Sequence, residues 1–296
     1  MDISIIIVTY NTKQITSNCI ESIFSKTTGV SFEVILIDNA STDGSKDFFE
    51  KDSRITYIYS NTNLGFGKAN NLGYTKATGK YIFLLNSDTI LVNNAIFEMY
   101  QYMEGAPKSV GCIGAVLLDP NEQIAGGYAK KLPTLNWIFQ ENMLFTIPKF
   151  SAIYNPYKKR LKNILKDKYP LEADFISGAD MFIRRETIEN SGLFDPDFFL
   201  YYEETEMLYR FHKNGYKSMV IDTPKIIHLE GGSQTKVFSL KRLNLNLTSR
   251  YLYAKKTFSK KQYLIFRLMH VLIIPRILLF RMPWKDKLQT LKTIFG

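Results

Sequence analysis

The chain has 296 residues, with 38 lysines and arginines against 28 aspartates and glutamates, and two cysteines. Its length suits one large domain or two small ones, and 45% hydrophobic and 22% charged residues exclude disordered and collagen-like proteins. Two cysteines cannot build a disulfide framework and indicate a reducing compartment, while the net charge of +10 favours an anionic partner such as nucleic acid, a membrane or a phosphorylated substrate.

Strands and helices alternate in the first half of the chain. The start of the chain lacks the basic region of a signal peptide. The sequence contains no stretch of about 18 uncharged apolar residues, so we expect no transmembrane helix. Apolar runs predict strands, and helical spacing predicts helices between them, at Ile3–Tyr10, Thr12–Ser25, Phe32–Ile37, Ile55–Tyr59, Lys68–Lys76 and Tyr81–Leu85. This alternation predicts an α/β fold with a Rossmann-like, mostly parallel sheet flanked by helices.

The second half of the chain is less regular. Residues 130–168 are rich in aromatics, lysine and proline and are interpreted as a flap. Further strands are predicted at Val110–Leu118, Asp174–Arg184, Lys217–Ile221 and Ile226–His228, and helices at Glu186–Asn190 and Glu203–Asn214.

Polar residues follow the predicted strands at their carboxyl ends, which is where open α/β sheets bind ligands. They are Asn11, Asp38, the segment from Asn63 to Asn71, and Asn86-Ser87-Asp88. Turn and cap chemistry is the alternative for single residues of this kind, above all for Ser41 and Asp43. Four such loops at one edge favour a ligand site.

The glycines of Gly65-Phe66-Gly67-Lys68 do not form a dinucleotide fingerprint. The third glycine is missing, and the strand-terminal acid, Asp38, precedes them instead of following about 20 residues later. A dehydrogenase is therefore disfavoured.

Two further constellations carry candidate chemistry. Asp88 is a candidate ligand for Mg²⁺ or Mn²⁺, and His228 at a strand end is a second one that would favour Mn²⁺. Glu203, Glu204 and Glu206 begin a predicted helix directly after an aromatic run. Favourable pairing with the helix dipole is the alternative explanation, but aromatic walls suit sugar binding and raise a carboxylate pKa towards that of a general base.

In this order, these residues resemble the family-2 glycosyltransferases of the GT-A fold, most of all the bacterial rhamnosyltransferase-like branch. The resemblance covers roughly residues 3–235. Its motifs are Val8-Thr9-Tyr10-Asn11, Asp38-Asn39-Ala40-Ser41-Thr42-Asp43-Gly44, Asn63-Leu64-Gly65-Phe66-Gly67-Lys68-Ala69-Asn70-Asn71, Asn86-Ser87-Asp88, Ser177-Gly178-Ala179, Phe194-Asp195, Tyr202-Glu203-Glu204-Thr205-Glu206 and His228.

The resemblance implies an inverting, metal-dependent transfer of one sugar from a nucleotide diphosphate donor. Rhamnose is a candidate for the sugar, and dTDP or UDP for the nucleotide that carries it. It implies donor binding by Thr9, Tyr10, Asn11, Asp38, Asn63, Gly67, Asn70, Asn86, Ser87 and Asp88. It also implies Mn²⁺ or Mg²⁺ at Asp88 and His228, and a catalytic base at Glu204 with Glu203 as the alternative. Acceptor binding, to a glycan or lipid-linked acceptor of cell-surface polysaccharide synthesis, falls to Gly178, Ala179, Tyr202 and Glu206.

The sequence departs from the family pattern in two places. Asn86 stands where the metal motif has its first acid, so metal affinity is expected to rely more on the diphosphate. The presumed base is a glutamate rather than an aspartate, which leaves open whether Glu203 or Glu204 removes the proton. The motif and spans of the processive synthases are absent from the sequence, which favours single-sugar transfer.

The positive charge lies in the C-terminal segment, defined as residues 236–296. It contains 14 lysines and arginines against one acid, whereas residues 1–235, the predicted catalytic domain, carry a net charge of −3. On a helical wheel from Lys260, one face holds Leu264, Ile265, Phe266, Leu268, Met269, Leu272 and Ile273, and the other holds Lys260, Tyr263, Arg267 and His270. This basic amphipathic pattern predicts a peripheral helix on the inner face of the cell membrane, in the cytoplasm, and disfavours nucleic acid. Packing on the chain's own domain or on a homodimer partner is the alternative.

Two other functions remain open from the sequence. A nucleotidyltransferase would be expected to show a basic glycine-rich loop near its start, where this chain has Val8-Thr9-Tyr10-Asn11. A catalytically inactive partner protein that only binds a sugar nucleotide stays compatible with Asn86 and the Glu203–Glu204 pair.

Overall fold

The computed structural model describes residues 1–146, 164–229 and 240–271, together with residues 284, 287, 288 and 291. Within these ranges the strands are β1 Ile3–Thr9, β2 Phe32–Asp38, β3 Ile55–Tyr59, β4 Tyr81–Asn86, β5 Thr89–Leu91, β6 Val110–Ala115, β7 Leu117–Leu118, β8 Ile124–Gly126, β9 Tyr128–Ala129, β10 Leu171–Glu172, β11 Phe175–Ile176, β12 Asp180–Arg184, β13 Lys217–Ile221 and β14 Ile226–His228. The helices are α1 Lys13–Lys26, α2 Ser45–Phe49, α3 Phe66–Tyr74, α4 Ala95–Gly105, α5 Leu135–Thr146, α6 Arg185–Ser191, α7 Glu203–Lys213, α8 Leu240–Thr257 and α9 Lys260–His270.

The main sheet has the strand order β10-β13-β6-β12-β4-β1-β2-β3. Strands β4, β1, β2 and β3 are parallel to one another, and β13 is parallel to β6. Strand β12 runs antiparallel between β4 and β6. The predicted mostly parallel sheet flanked by helices is confirmed. Its first four strands bring their carboxyl ends to one edge, which is where the polar motifs lie.

Both faces of the sheet are covered by apolar side chains. Ile3, Ile5 and Ile7 pack on one face with residues of α1 and α4, whereas Ile6 packs on the other with residues of α3, α6 and α7. This alternation explains why the strands are apolar throughout, because a strand covered on both sides has no solvent face.

Several elements differ from the sequence predictions. Helix α4 and strand β5 were not predicted. The predicted strand at Val110–Leu118 is divided into β6 and β7. The predicted strand at Asp174–Arg184 is also divided: β11 pairs with β9, and β12 joins the main sheet. The interpreted flap contains helix α5, and its residues 147–163 lie outside the described residues.

A second sheet of order β5-β14-β7-β8 lies beyond the end of β4. Strand β14 pairs with β5 in antiparallel register, His228 opposite Thr89. The backbone N–H of Leu229 donates to the carbonyl of Asp88 at 2.9 Å. This small sheet therefore carries His228 back to the carboxyl end of β4.

Helices α8 and α9 pack on the rest of the chain. Ile138 of α5, Ala254 of α8 and Phe266 of α9 form a buried apolar cluster, and Phe198 and Tyr202 form another with Tyr253 of α8. Within the described ranges, none of the helices has the length and hydropathy needed to span a bilayer. The division into residues 1–235 and 236–296 stays a prediction.

Candidate active site

The loops after β1 and β2 are joined to each other. Asn11 accepts a hydrogen bond from the backbone of Thr42 at 2.7 Å through Oδ1, and its own N–H donates to the Ser41 hydroxyl at 2.9 Å. Asn11 and Ala40 both adopt left-handed backbone conformations, with φ of 55° and 70°. Non-glycine residues in this region are uncommon and concentrate at functional sites, where surrounding contacts hold them.

Asp38 lies at the end of β2 and is fully buried. One carboxylate oxygen accepts the Ser41 backbone N–H at 2.8 Å and the other accepts the Tyr57 hydroxyl at 2.7 Å. Burial and the carboxylate of Asp38 raise the pKa of Tyr57 far above that of a free phenol. The side chain is thus oriented by two donors, and its predicted contact with the donor base stays a prediction.

Thr9 and Tyr10 differ in what they expose. Thr9 is fully buried, and its hydroxyl lies 2.8 Å from that of Thr16 and 3.1 Å from that of Thr12. The buried Thr9 side chain thus supports the loop, and the predicted donor contact of Thr9 stays a prediction. The adjacent Tyr10 is 49% exposed at the mouth of the same loop.

The glycine loop, residues 63–67, is held by Asn39, which the sequence analysis did not select as a site residue. The Asn39 side chain donates to Asn63 Oδ1 at 3.0 Å and accepts the Leu64 N–H at 2.7 Å. Asn63 Oδ1 also accepts the Gly65 N–H at 2.9 Å. The available signal in the sequence was an asparagine directly after the strand-terminal Asp38.

The glycine loop contacts the aromatic segment, residues 198–202. The Phe66 N–H donates to the Phe199 carbonyl at 3.1 Å, and Gly65 there adopts φ 81° and ψ 177°, a conformation essentially restricted to glycine. A Cβ at Gly67 would lie 3.8 Å from the Cβ of Glu203. The loop predicted to bind the donor therefore lies against the first turn of α7.

Two other predicted residues are buried within this region. Asn70 is 1% exposed, and its amide donates to the Phe66 carbonyl within α3 at 3.0 Å. This bond supports the start of the helix, and the predicted donor contact of Asn70 stays a prediction. Ala179 is also buried, and its carbonyl accepts the Asn86 N–H at 3.0 Å, while Gly178 leaves room for the Phe66 ring. The predicted acceptor residues thus lie beside the end of β4.

Asp88 and His228 are brought together across 140 residues of sequence. Asp88 Oδ1 lies 3.2 Å from His228 Nε2, and both side chains are largely buried. Ser87 is also buried beside them, and Asn86 partly so. An oxygen and a nitrogen at this separation fit neighbouring ligands of a cation bound at about 2.2 Å. No cluster of three or more potential protein ligands occurs in the described part of the chain, so the remaining positions would belong to substrate or water.

The start of α7 combines backbone strain with perturbed carboxylates. Tyr201 and Tyr202 have φ of 72° and 66°, and Tyr202 caps the helix. Glu203 is 3% exposed with an unpartnered Oε2, and burial, followed by the charge of Glu204, raises its pKa well above the ordinary range. Burial also raises the pKa of Glu204, although this side chain keeps some exposure to solvent.

Glu206 forms an internal ion pair. Both of its oxygens accept from Arg210 Nε at 2.9 Å, and the same guanidinium donates to the carbonyls of Ser191, Gly192 and Leu193. Burial raises the pKa of Glu206 and the charge of Arg210 opposes that rise. These contacts fasten the segment before the aromatic segment, and the predicted acceptor role of Glu206 stays a prediction.

Helix α8 supports the aromatic segment from outside the predicted catalytic region. The ring of Tyr253 packs on that of Tyr202 with centroids 5.5 Å apart, Arg250 Nε donates to the Tyr202 hydroxyl at 3.1 Å, and the Ser249 hydroxyl donates to the Leu200 carbonyl at 2.7 Å. No sequence pattern links these residues to Tyr202, about 50 positions earlier.

Solved structures with a similar fold include proteins in complex with nucleotide sugars. A mannosyltransferase from Pyrobaculum calidifontis, solved with GDP-Man and Mn²⁺, has a TM-score of 0.59 at 15% identity and covers 98% of this chain and 73% of its own. Residues 1–349 of TarS from S. aureus, solved with UDP-GlcNAc, have a TM-score of 0.57 at 14% identity and cover 99% and 79%. At these identities the likeness shows the fold alone, and it confirms the GT-A-like α/β architecture.

Curated relatives of similar sequence are named as glycosyltransferases. Low-salt glycan biosynthesis hexosyltransferase Agl10 of Haloferax volcanii is 25% identical over 300 residues, 100% of this chain and 89% of that protein. Glycosyltransferase GlyG of Streptococcus pneumoniae is 34% identical over 34% of this chain and 35% of its own length. The Escherichia coli enzyme UDP-Glc:alpha-D-GlcNAc-diphosphoundecaprenol beta-1,3-glucosyltransferase WfaP is 38% identical over 34% and 41%. The match to GlyG thus spans only about a third of the length of that protein.

The family model for glycosyl transferase family 2 matches residues 4–188. That range contains β1 to β4, the glycine loop, Asp88 and the segment from Gly178 to Arg184, and it makes up more than half of the chain. The chain therefore belongs to glycosyl transferase family 2.

Proposed function

We propose that the chain is an inverting glycosyltransferase that moves one sugar from a nucleoside diphosphate donor to a hydroxyl group of a glycan or lipid-linked acceptor. The observation that carries the proposal is the first turn of α7, which holds two glutamates of different exposure and approaches the glycine loop through Glu203. Family membership supports the reaction class.

Glu204 is the better candidate for the base. A general base has to reach the hydroxyl whose proton it removes, and Glu204 keeps exposed surface whereas Glu203 is 3% exposed. Burial, followed by the charge of the adjacent Glu204, raises the pKa of Glu203 well above the ordinary range.

The donor is assigned to the carboxyl ends of β1 to β4. Asp38, the glycine loop and the exposed Tyr10 lie along this edge, and solved relatives of the same fold hold GDP-Man or UDP-GlcNAc. Asp88 and His228 would hold Mn²⁺ or Mg²⁺, which, when bound, offsets negative charge on the diphosphate leaving group. The sequence resemblance adds dTDP and UDP as carriers and rhamnose as a candidate sugar.

The reaction balances as a direct displacement. Glu204 takes the proton of the acceptor hydroxyl, the acceptor oxygen bonds to the anomeric carbon, and the bond from that carbon to the diphosphate oxygen breaks. The nucleoside diphosphate leaves with the bonding electron pair, and attack opposite to it inverts the anomeric centre.

A donor panel tests the proposal. UDP-, dTDP- and GDP-sugars, including dTDP-rhamnose, are assayed with Mn²⁺ or Mg²⁺ for binding, hydrolysis and transfer. Glu204→Gln is expected to lower kcat by about 10²–10⁴-fold while donor binding is kept. Glu189→Gln, on an exposed part of α6, is the matched control and should keep full activity.

The alternative functions predict different outcomes. Normal turnover by Glu204→Gln contradicts the assignment of the base. Donor binding by the wild type with neither hydrolysis nor transfer would instead indicate an inactive sugar-nucleotide-binding protein. Release of diphosphate from a nucleoside triphosphate would indicate a nucleotidyltransferase.

The acceptor and the location of the protein extend this proposal. WfaP, by its name, acts on a diphosphoundecaprenol-linked sugar, which supports a lipid-linked acceptor. The excess of basic residues in the C-terminal segment supports peripheral association with the inner face of the cell membrane. A homodimer contact through this segment is the competing proposal.

A further inference from the structure

Helix α9 packs on the protein through its aromatic side. Phe266 and His270 are fully buried, and their rings lie against Tyr251 of α8 with centroids 4.9 Å and 4.8 Å away. Burial lowers the pKa of His270 to about 4, so this ring is neutral at physiological pH. The helical wheel placed Phe266 with the aliphatic residues and His270 with the cations, whereas tertiary packing buries both.

The opposite side of α9 exposes aliphatic side chains. Leu264 is 60% exposed, Leu268 62%, Val271 46% and Ile265 40%. Residues 264, 268 and 271 follow the spacing i, i+4, i+7 and form one continuous stripe along the helix. A helix packed on a soluble domain normally turns polar residues outwards, so a stripe of this kind marks an interaction surface.

Cations accompany the stripe. Lys260 and Lys261 are exposed and begin the helix. At 100° per residue both fall on the side that carries Leu264 and Leu268, whereas the helical wheel had assigned Lys260 to the other face. The capping box of Ser259 and Gln262 fixes this end of the helix. The whole C-terminal segment has 14 basic residues and one acid. The surface is therefore apolar and cationic together, which matches an anionic bilayer rather than a neutral apolar protein groove.

We propose that the outward face of α9 docks on an anionic phospholipid bilayer, with Leu264, Leu268 and Val271 at the acyl boundary and Lys260 and Lys261 against lipid phosphates. The inference deepens the proposed function and rests on it only for the lipid-linked acceptor. Trp284 and Leu288, further along the same segment, are also exposed, at 62% and 43%.

The outward face of α9 is connected through packed aromatic rings to Tyr202, a predicted acceptor residue. Phe258, between α8 and α9, packs on Phe266 and on Tyr253, and Tyr253 packs on Tyr202 at the start of α7. One pair of helices thus carries the bilayer-facing stripe and holds the aromatic segment. A bilayer bound at α9 would therefore have a fixed position relative to the aromatic segment.

Vesicle co-sedimentation of the full chain tests the proposal. We expect binding to vesicles of equal parts phosphatidylcholine and phosphatidylglycerol, weak binding to phosphatidylcholine alone, and weakening by added salt. Leu264→Gln and Leu268→Gln should each weaken binding by about tenfold, and Lys260→Gln with Lys261→Gln by about fivefold per lysine. Leu165→Gln, which replaces a leucine 63% exposed elsewhere, is the matched control and should bind like the wild type.

Two results would overturn the inference. The first is equal binding of wild type, Leu268→Gln and Leu165→Gln to the anionic vesicles. The second is no vesicle binding together with a dimer in analytical ultracentrifugation that Leu268→Gln converts to monomer, which would make the stripe a contact between two copies of the chain.

The lipid inference and the proposed function can fail separately. Vesicle binding needs no donor, so binding that depends on the stripe without any transfer supports the docking face and contradicts the enzyme. With an acceptor embedded in anionic vesicles, Leu264→Gln with Leu268→Gln should lower transfer at least tenfold while donor hydrolysis in free solution is unchanged. Equal loss of both activities would contradict docking as the cause.

Discussion

Gly65 is the point where the glycine loop and the aromatic segment meet, and Gly65→Ala is expected to separate them. A Cβ at this position would overlap the Phe199 carbonyl oxygen and come within 2.9 Å of Phe199 Cδ2. The backbone conformation, φ 81° and ψ 177°, costs a non-glycine residue about 1–3 kcal/mol. Displacing the Phe199 carbonyl also breaks its hydrogen bond with the Phe66 N–H, for about 1 kcal/mol more.

The expected loss for Gly65→Ala is therefore about 2–4 kcal/mol, which leaves a protein of ordinary stability folded. The corresponding fall in Tm is roughly 10 °C for a domain of this size. Because the glycine loop is assigned to the donor, KM for the donor should rise as well. Thermal melts and donor titrations measure the two effects.

Gly105→Ala is the matched control. Gly105 ends α4 with open space around it, so alanine there should leave stability unchanged or raise it by up to about 1 kcal/mol. Similar melting shifts for the two variants would refute the close approach of the loop and the aromatic segment. A destabilised Gly65→Ala with an unchanged donor KM would refute the placement of the donor at this loop.

Three other predictions concern buried charges and the metal. Arg210→Met should lower the free energy of unfolding, measured by chemical denaturation, by about 3–5 kcal/mol because it leaves Glu206 buried and unpaired. Adding Glu206→Gln should restore part of that stability. A loss below about 1 kcal/mol for Arg210→Met would contradict this prediction. Burial raises the pKa of Asp180 well above the ordinary value of about 4, so wild-type stability should fall as the pH rises above that value. Asp180→Asn should therefore gain in Tm relative to the wild type as the pH is raised from about 4, and a pH-independent difference would refute this prediction. Replacing Asp88 by Asn or His228 by Ala should remove the rise in Tm caused by Mn²⁺ with a nucleoside diphosphate, and an unchanged rise would exclude the pair as ligands.

The sequence predicted those elements whose signal is local. Strand β3 and strand β13 have the predicted bounds because short apolar or β-branched runs stand between clear turn residues. Helix α4 was not predicted, and the apolar side formed by Ile96, Met99 and Met103 becomes evident only from its packing on the sheet.

The polar edge of the site was also determined by the sequence. Parallel strands bring their carboxyl ends to one edge, so Asn11, Asp38 and Asp88 were placed together before any tertiary contact was known. The same reasoning could not separate Thr9 from Tyr10, since burial of a hydroxyl among other threonines depends on the packing of α1.

Only the tertiary structure decided contacts between distant parts of the chain. It paired Asp88 with His228 through β14 and β5, because strand pairing is set by the register of a small second sheet rather than by local pattern. It distinguished the buried Glu203 from the accessible Glu204, which have the same chemistry and adjacent positions. It also gave the basic C-terminal segment two sides, since Phe266 and His270 bind the protein and the leucines of α9 stay exposed. Composition determined that this segment is cationic and apolar, but which face remains exposed follows from the neighbours that bury the other.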